Sequence, residues 1–523
     1  MTLPPVLPRV ADYVRWHAER TPEAEALVLG DTRISYAELD ARVEALARAL
    51  LAAGVAVGDR VATLQTPTPE YFVAYLAATS VGAIWAGLNT KYRRDELVYV
   101  VNDCQPKVLL TRMLVGDRRY DAEIAALRAA ADIQVVAGYD GSDADAGIEP
   151  FDVFLARGAA VTDAELATRR AAVGGRQACV LVYTSGTTGK PKGAVLQQQG
   201  IIEFSIEQTV IWPVEPLREL NFFPINHVGC TVDLATPCLV AGGTTIFMEH
   251  FDAAESMDII EREKVTFWAS TPSVFTMQLA ELDKRPRDLS AVQLICWEGA
   301  AIGSEVLDRL VAICPSLCTN YGQTESTGAM TGVAPTSDRD ILLNSVGPAF
   351  PGVELRLVDP DGNDVPDGTP GEVWARSPYS FIEYWNRPEA TAEAYTADGY
   401  LRTGDLAIRR PDGAYRIVGR IREMYKSGGY NVYPREVETV FEDHPAVSEA
   451  VVVAIPDAKW QEVGVLYVTL HEAITGEALM DYARQKLANY KLPKRIHIET
   501  ALPLLPVGKV DRTALRNRAI GDA

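Results

Sequence analysis

The chain has 523 residues, 48% of them hydrophobic, too many for one ordinary core, so two or more structural units are predicted. Its formal charge is −20, from 70 acidic and 50 basic side chains, and this field repels phosphates, which argues against nucleic acid or an anionic membrane as partner. Seven cysteines, an odd number, fit reduced thiols in a cytoplasmic protein better than a disulfide framework.

Residues 1–9 lack a basic segment followed by an apolar core, so no signal peptide is predicted. Ser35 with Glu38 forms a capping box, and Leu39, Val43, Leu46 and Leu50 follow at helical spacing until Gly54. Residues 61–64 and 108–111 read as strands and 70–78 as a helix, an alternation that suits a doubly wound sheet. The apolar stretch 73–88 is short and carries Thr79 and Ser80, so it reads as a buried helix running into a strand and not as a membrane span. Residues 116–174, rich in Ala, Asp and Arg, read as helices and surface loops.

Residues 178–182 form an apolar strand that runs into Tyr183-Thr184-Ser185-Gly186-Thr187-Thr188-Gly189-Lys190-Pro191-Lys192-Gly193. The glycines let backbone N–H groups approach an anion, the hydroxyls add donors, and the lysines add charge, so phosphate is the natural ligand. The alternative is a solvated Gly/Ser/Thr linker. The common mononucleotide loop does not fit, because from Gly186 its second glycine falls on Pro191.

Downstream, His227 follows Phe222-Phe223-Pro224-Ile225-Asn226, which reads as an aromatic-apolar strand, and a satisfied core histidine is the ordinary reading there. Residues 269–272 and 294–297 read as strands, the second ending in Glu298-Gly299-Ala300-Ala301. In Asn320-Tyr321-Gly322-Gln323-Thr324-Glu325, the ring of Tyr321 can stack on a base, Thr324 can donate to a phosphate and Glu325 can hold Mg²⁺. Thr403-Gly404-Asp405 supplies a carboxylate able to bind vicinal hydroxyls, with Arg420 beside it, although a turn aspartate is the plain alternative. Pro434 suits the first turn of a helix. Residues 447–455 and 463–470 read as strands and 479–489 as a helix, enough for a compact α+β unit ending near Gly508-Lys509. Cys314 and Cys318 have no third or fourth zinc ligand nearby and read as packing thiols. Residues 521–523 carry no address signal.

Taken in order, these motifs resemble those of the adenylate-forming enzymes: acyl-CoA synthetases, aryl-CoA ligases, luciferases and peptide-synthetase adenylation domains. The resemblance covers roughly 330 residues, from Tyr183 to Lys509. It implies a large multi-sheet α/β domain with doubly wound layers over residues 1–421, and a small mobile α+β lid over 422–523. The activity implied is an AMP-forming acid:CoA ligase that converts a carboxylic acid to an acyl adenylate, releases pyrophosphate and passes the acyl group to CoA. ATP, Mg²⁺ and CoA are the implied cofactors and co-substrates; a carrier-protein pantetheine is the alternative acceptor.

By the same resemblance, Thr184, Ser185, Gly186, Thr187, Thr188, Gly189 and Lys190 cradle phosphates, and Gly299, Ala300, Ala301, Asn320, Tyr321 and Gly322 line the adenine and acyl groups. Asp405 and Arg420 take the ribose. Lys509, His227, Thr324 and Glu325 are the catalytic set, Glu325 holds the metal, and Lys426, Gly428 and Gly429 face the pantetheine in a second lid position, reached by swinging about Arg422. The family's acyl turn usually continues with Pro-Leu, and here Ile302-Gly303 follows Ala301. An amino-acid adenylation domain carries an aspartate just after the histidine position, which here is Val228. A kinase-type enzyme remains as another class, told apart by its ADP product. The candidate pocket segments 222–240, 295–303 and 321–331 contain no Lys or Arg, so a bulky apolar monocarboxylic acid is expected, aromatic, polycyclic or medium-to-long acyl. No residue pattern here defines an oligomeric state.

Overall fold

The structure is a computed structural model that describes residues 5–143, 146–184, 191–427, 430–505 and 509–521. The described residues form two eight-stranded sheets, a four-stranded antiparallel sheet and a five-stranded sheet near the carboxyl end, with a small two-stranded hairpin beside them.

One large sheet runs Ala178–Thr184, Ile84–Leu88, Arg60–Leu64, Val108–Thr111 and Val135–Gly138 in parallel, with Lys192–Gln197 antiparallel at one side. The other places Arg218–Asn221, Phe267–Ser270, Leu294–Trp297 and Leu317–Gln323 in parallel. Helix Pro69–Ser80 is buried along nearly its whole length and touches strands of both sheets, which is why its sequence is apolar on every face. It runs into Ile84–Leu88 as expected. No helix among the described residues is long and apolar enough to cross a membrane. The capping box is present, with Ser35 N–H donating to Glu38 at 2.9 Å and the Ser35 hydroxyl accepting from Glu38 N–H.

Three expectations need correction. The stretch 116–174 contains strands Val135–Gly138 and Glu149–Pro150, which extend the sheet; four residues with a flanking Asp-Ile-Gln are too short for a periodicity signal. The strand before His227 is Arg218–Asn221, so Phe222 and Phe223 pack beyond its end. The helix expected over 479–489 is Gly476–Arg484; residues 485–488 leave the helix, and a 3₁₀ turn follows at Asn489–Lys491.

The small unit has its own core, with Val437, Phe441, Leu466, Val468 and Leu479 buried between helices Pro434–Glu442 and Gly476–Arg484 and strands Val447–Asp457 and Gln461–Leu470. Glu438 is fully buried there and is held by Arg512 at 2.7 and 3.0 Å and by Val452 N–H at 2.8 Å. The unit touches the large part through His471 and Glu305 at 2.5 Å, and through the Ser273 hydroxyl, which donates to Glu449 at 3.4 Å. All seven cysteines are buried and unbridged.

Candidate active site

The parallel strands Phe267–Ser270, Leu294–Trp297 and Leu317–Gln323 pair in register, Ser270 with Trp297 and Trp297 with Thr319, so their carboxyl ends lie side by side. Ligands of open α/β sheets gather at such ends. The bends that follow these strands carry most of the candidate residues.

Glu298 to Ala301 form the bend after Leu294–Trp297, with Gly299, Ala300 and Ala301 exposed. Lys509 reaches this bend from the small unit. A Cβ on Gly299 would lie 2.7 Å from Lys509 Cε, and the backbone there has φ +82°, so only glycine lets the lysine cross. Enclosure pulls the Lys509 ammonium below the ordinary lysine range, opposed first by the charge of Glu298 and then by Asp233 and Asp405. Enclosure likewise raises the Glu298 carboxyl, and Lys509 and a hydrogen bond with Asn320 oppose it.

His227 caps the short helix Val228–Cys230, its Nδ1 accepting from Gly229 N–H at 3.0 Å. That bond leaves the proton of the neutral ring on Nε2. Burial, reinforced by the Lys509 charge, lowers the His227 pKa to about 3, so the ring is a neutral donor at physiological pH.

After Leu317–Gln323, Thr324–Ser326 form a 3₁₀ turn with Thr324 buried. Glu325 accepts from the Tyr384 hydroxyl at 2.6 Å through Oε1, and its Oε2 makes no hydrogen bond among the described residues. Gly322 is needed for the hairpin with Gly328–Gly332, because a Cβ there would meet the Gly328 carbonyl oxygen at 2.1 Å. Tyr321 donates its hydroxyl to Asp405 Oδ2 at 2.8 Å, and Arg420 Nε lies 2.8 Å from Asp405 Oδ1. Each carboxylate oxygen keeps one further acceptor site. Burial raises the Asp405 carboxyl, and Arg420 and Tyr321 oppose this.

Thr184 and Lys192 pair at the end of the antiparallel strands Ala178–Thr184 and Lys192–Gln197. That pair of strands is braced by Tyr183, whose hydroxyl donates to Asp103 at 2.8 Å, and by Trp385 N–H on Gly193 O at 2.7 Å. Ser185, Gly186, Thr187, Thr188, Gly189 and Lys190 lie outside the described residues, as do Gly428 and Gly429. Lys426 is exposed on the sheet of the small unit, with its backbone N–H donating to Glu462 at 3.1 Å. The structure therefore brings together Lys509, His227, Gly299, Asn320, Tyr321, Asp405 and Arg420, with Thr324 and Glu325 on the turn after Tyr321, and leaves Lys426 apart.

A small cavity lies behind this cluster, walled by Phe204, Trp212, Phe223, Leu234 and Phe267. Three of its polar residues were not singled out from sequence: Gln208, Asp233 and Ser270. Asp233 sits in a π-helical turn, Thr231–Ala235. Pro237 has no N–H to return to the Asp233 carbonyl four residues earlier, and Gln208 Nε2 donates to that carbonyl instead at 2.9 Å. A carboxylate four residues before a proline inside an apolar run was the available signal.

A lysine aimed at clustered carboxylates, a neutral histidine and a buried aspartate paired with arginine, all at the ends of parallel strands, are the parts of an enzyme that activates carboxylates with ATP. The AMP-binding enzyme family matches residues 14–385, and the AMP-binding enzyme C-terminal domain matches residues 436–509. A feruloyl-CoA synthase of Amycolatopsis sp is 33% identical over 509 residues, covering 96% of this chain and 97% of that protein. An indoleacetate–CoA ligase of Aromatoleum aromaticum is 32% identical over 511 residues, covering 97% of each. Among solved structures, the anthranilate CoA ligase AuaEII in complex with anthranoyl-AMP superposes with a TM-score of 0.85 at 25% identity, over 99% of this chain and 98% of that one. The chain belongs to the AMP-binding, adenylate-forming enzymes and stands close to their acyl-CoA synthetases. It is an AMP-forming acid:CoA ligase, with ATP and CoA as substrates.

Proposed function

We propose that the protein activates a bulky, mainly apolar monocarboxylic acid, aromatic or medium-to-long acyl, as its adenylate and then transfers the acyl group to the thiol of CoA. The observation that carries this reading is the aromatic cavity behind Lys509, whose lining contains neither Lys nor Arg to pair a second carboxylate. The names of the relatives, for ferulate and indoleacetate, agree with it.

A carboxylate is a poor acceptor for a thiol, because oxide would have to leave. In the first half-reaction the acid's oxygen attacks the α-phosphorus of ATP and pyrophosphate departs. Negative charge then crowds on the phosphate oxygens, where the Lys509 ammonium, the Thr324 hydroxyl and the loop 184–190 donate. His227, neutral with its proton on Nε2, donates to the acid's carboxylate without adding charge. Asp405 and Arg420 hold the ribose hydroxyls, and Tyr321 and the bend 299–301 flank the adenine. Glu325 fits magnesium: one oxygen is uncommitted among the described residues, and Mg²⁺ takes one or two carboxylates with phosphates and waters. Magnesium bound there supplies charge neutralisation at the phosphates. In the second half-reaction the thiolate displaces AMP, with the small unit, residues 422–523, turned so that residues 426–430 face the pantetheine. Unbridged, buried cysteines fit a cytoplasmic location.

Incubation with ATP, Mg²⁺, CoA and a panel of carboxylic acids, read by mass, tests the reading. AMP, pyrophosphate and a thioester of an aryl or medium-chain acid are expected. ADP as product, or preferred turnover of a small dicarboxylate, would overturn it. A pantetheinylated carrier protein in place of CoA tests the alternative acceptor.

A further inference from the structure

Buried polar atoms normally find partners, so several orphans in one place call for a ligand. Three such atoms belong to residues that line one cavity behind Lys509: Gln208 Oε1, Asp233 Oδ1 and Ser270 Oγ have no hydrogen-bond partner among the described residues. Their residues are 7, 9 and 1% exposed, so solvent does not serve them. Gln208 cannot turn its amide, because Nε2 is held by the Asp233 carbonyl, and so its oxygen is fixed as an acceptor. The π-helical turn sets Asp233 against Gly328, where a Cβ would lie 2.6 Å from Oδ1, so the glycine leaves this oxygen its place. The rest of the wall is largely apolar or aromatic; Cys296, Glu298 and Asn320 also line it, and none of them hydrogen-bonds these three atoms.

We propose that the acid activated by this enzyme carries a hydrogen-bond donor, a hydroxyl or an N–H, on its ring or chain apart from the carboxyl group, and that Asp233, Gln208 and Ser270 select it. The assignment rests on the acid:CoA ligase reading and narrows its substrate class. A donor meets acceptor oxygens already in place and desolvated. An analogue lacking the donor leaves them unpaired, and one with only an acceptor sets its lone pair against that of Gln208 Oε1, which is fixed as an acceptor. A second carboxylate is disfavoured further by the nearby Glu298.

The test compares kcat/KM within matched sets of acids, read both as pyrophosphate release and as CoA thioester. Each set holds a donor-bearing acid, its O- or N-methylated form and the unsubstituted parent, on arylpropenoate, indolylacetate and medium-chain scaffolds. On the scaffold that turns over best, the donor-bearing acid is expected to lead by roughly a hundredfold or more, as sites built around a substrate hydrogen bond discriminate. Asp233→Leu is expected to invert the order toward the parent acid, mainly through KM. Asp233→Asn, which keeps the shape and guards against a folding defect in the leucine variant, is expected to shrink the ratio at least about tenfold. Equal or better use of methylated or parent acids on every scaffold would overturn the donor assignment and leave the ligase reading standing. An unchanged ratio in both Asp233 variants would do the same. Absence of thioester from every acid tried would overturn the ligase reading and this assignment with it.

Discussion

At Gly299 the backbone has φ +82° and the Lys509 side chain passes where a Cβ would stand. Gly299→Ala is therefore expected to displace the lysine and strain the bend by about 1–2 kcal/mol. Lys509→Ala removes the ammonium itself and is expected to slow pyrophosphate release by roughly a hundredfold to a thousandfold, the scale of one preorganised donor. In both variants thioester formation from a supplied acyl adenylate is expected to survive, and separate assays of the two half-reactions check it. Equal loss in the two assays would assign these residues to the fold or to both steps. Lys509, His227, Asp405 and Arg420 were legible in the sequence because each stands in a short motif with fixed neighbours. Asp233, Gln208 and Tyr384 were not, since their meaning comes from partners 25 to 59 residues away that no local pattern announces.

The π-helical turn at Thr231–Ala235 shows what an element-level reading can lose. The run 228–241 has the composition of one buried helix, and only Pro237 hints that a carbonyl must find its partner elsewhere. Gln208→Ala is expected to cost about 1–3 kcal/mol in urea unfolding by orphaning the Asp233 carbonyl. Pro237→Ala supplies an N–H, so the double variant is expected to lose less than the sum of the two, a coupling measurable as a double-mutant cycle. Strands such as Val108–Thr111 and Leu294–Trp297 were readable because they are continuous apolar runs, whereas Glu149–Pro150 pairs through two residues that carry no strand signal. In the small unit, helix Pro434–Glu442 buries Glu438 against Arg512. Burial alone would raise this carboxyl; the Arg512 and Arg435 charges win, and it titrates below its ordinary range. A carboxyl lowered in the folded state stabilises above its unfolded pKa, about 4.3, and that contribution is lost as pH falls through the lower folded value. Arg512→Met is expected to cost the small unit about 3–5 kcal/mol by leaving the charge uncompensated, visible as faster amide exchange in strand Val447–Asp457.

For the whole molecule, the arrangement seen is one in which the small unit presents Lys509 to the large one. The joint expected from sequence, Arg422, is exposed and lies in the turn after strand Tyr415–Arg420, where Glu423 N–H and Met424 N–H both donate to the Arg420 carbonyl at 3.1 and 3.0 Å. Proline at 422 would restrict φ at that joint. Arg422→Pro is expected to release pyrophosphate in a near-normal single turnover and to form thioester far more slowly, and parallel burst measurements check it. Equal loss of both products without unfolding would place the joint elsewhere. The contacts of His471 with Glu305 and of Glu449 with Ser273 bear on how such an enzyme can be rebuilt from parts. A small unit transplanted from a relative would bring its own lysine, but whether that lysine finds the bend at Gly299 would depend on its host retaining a compatible residue at 305 and at 273. Chimeras that carry these two host positions over with the graft should therefore recover pyrophosphate release that simple fusions at the joint lack.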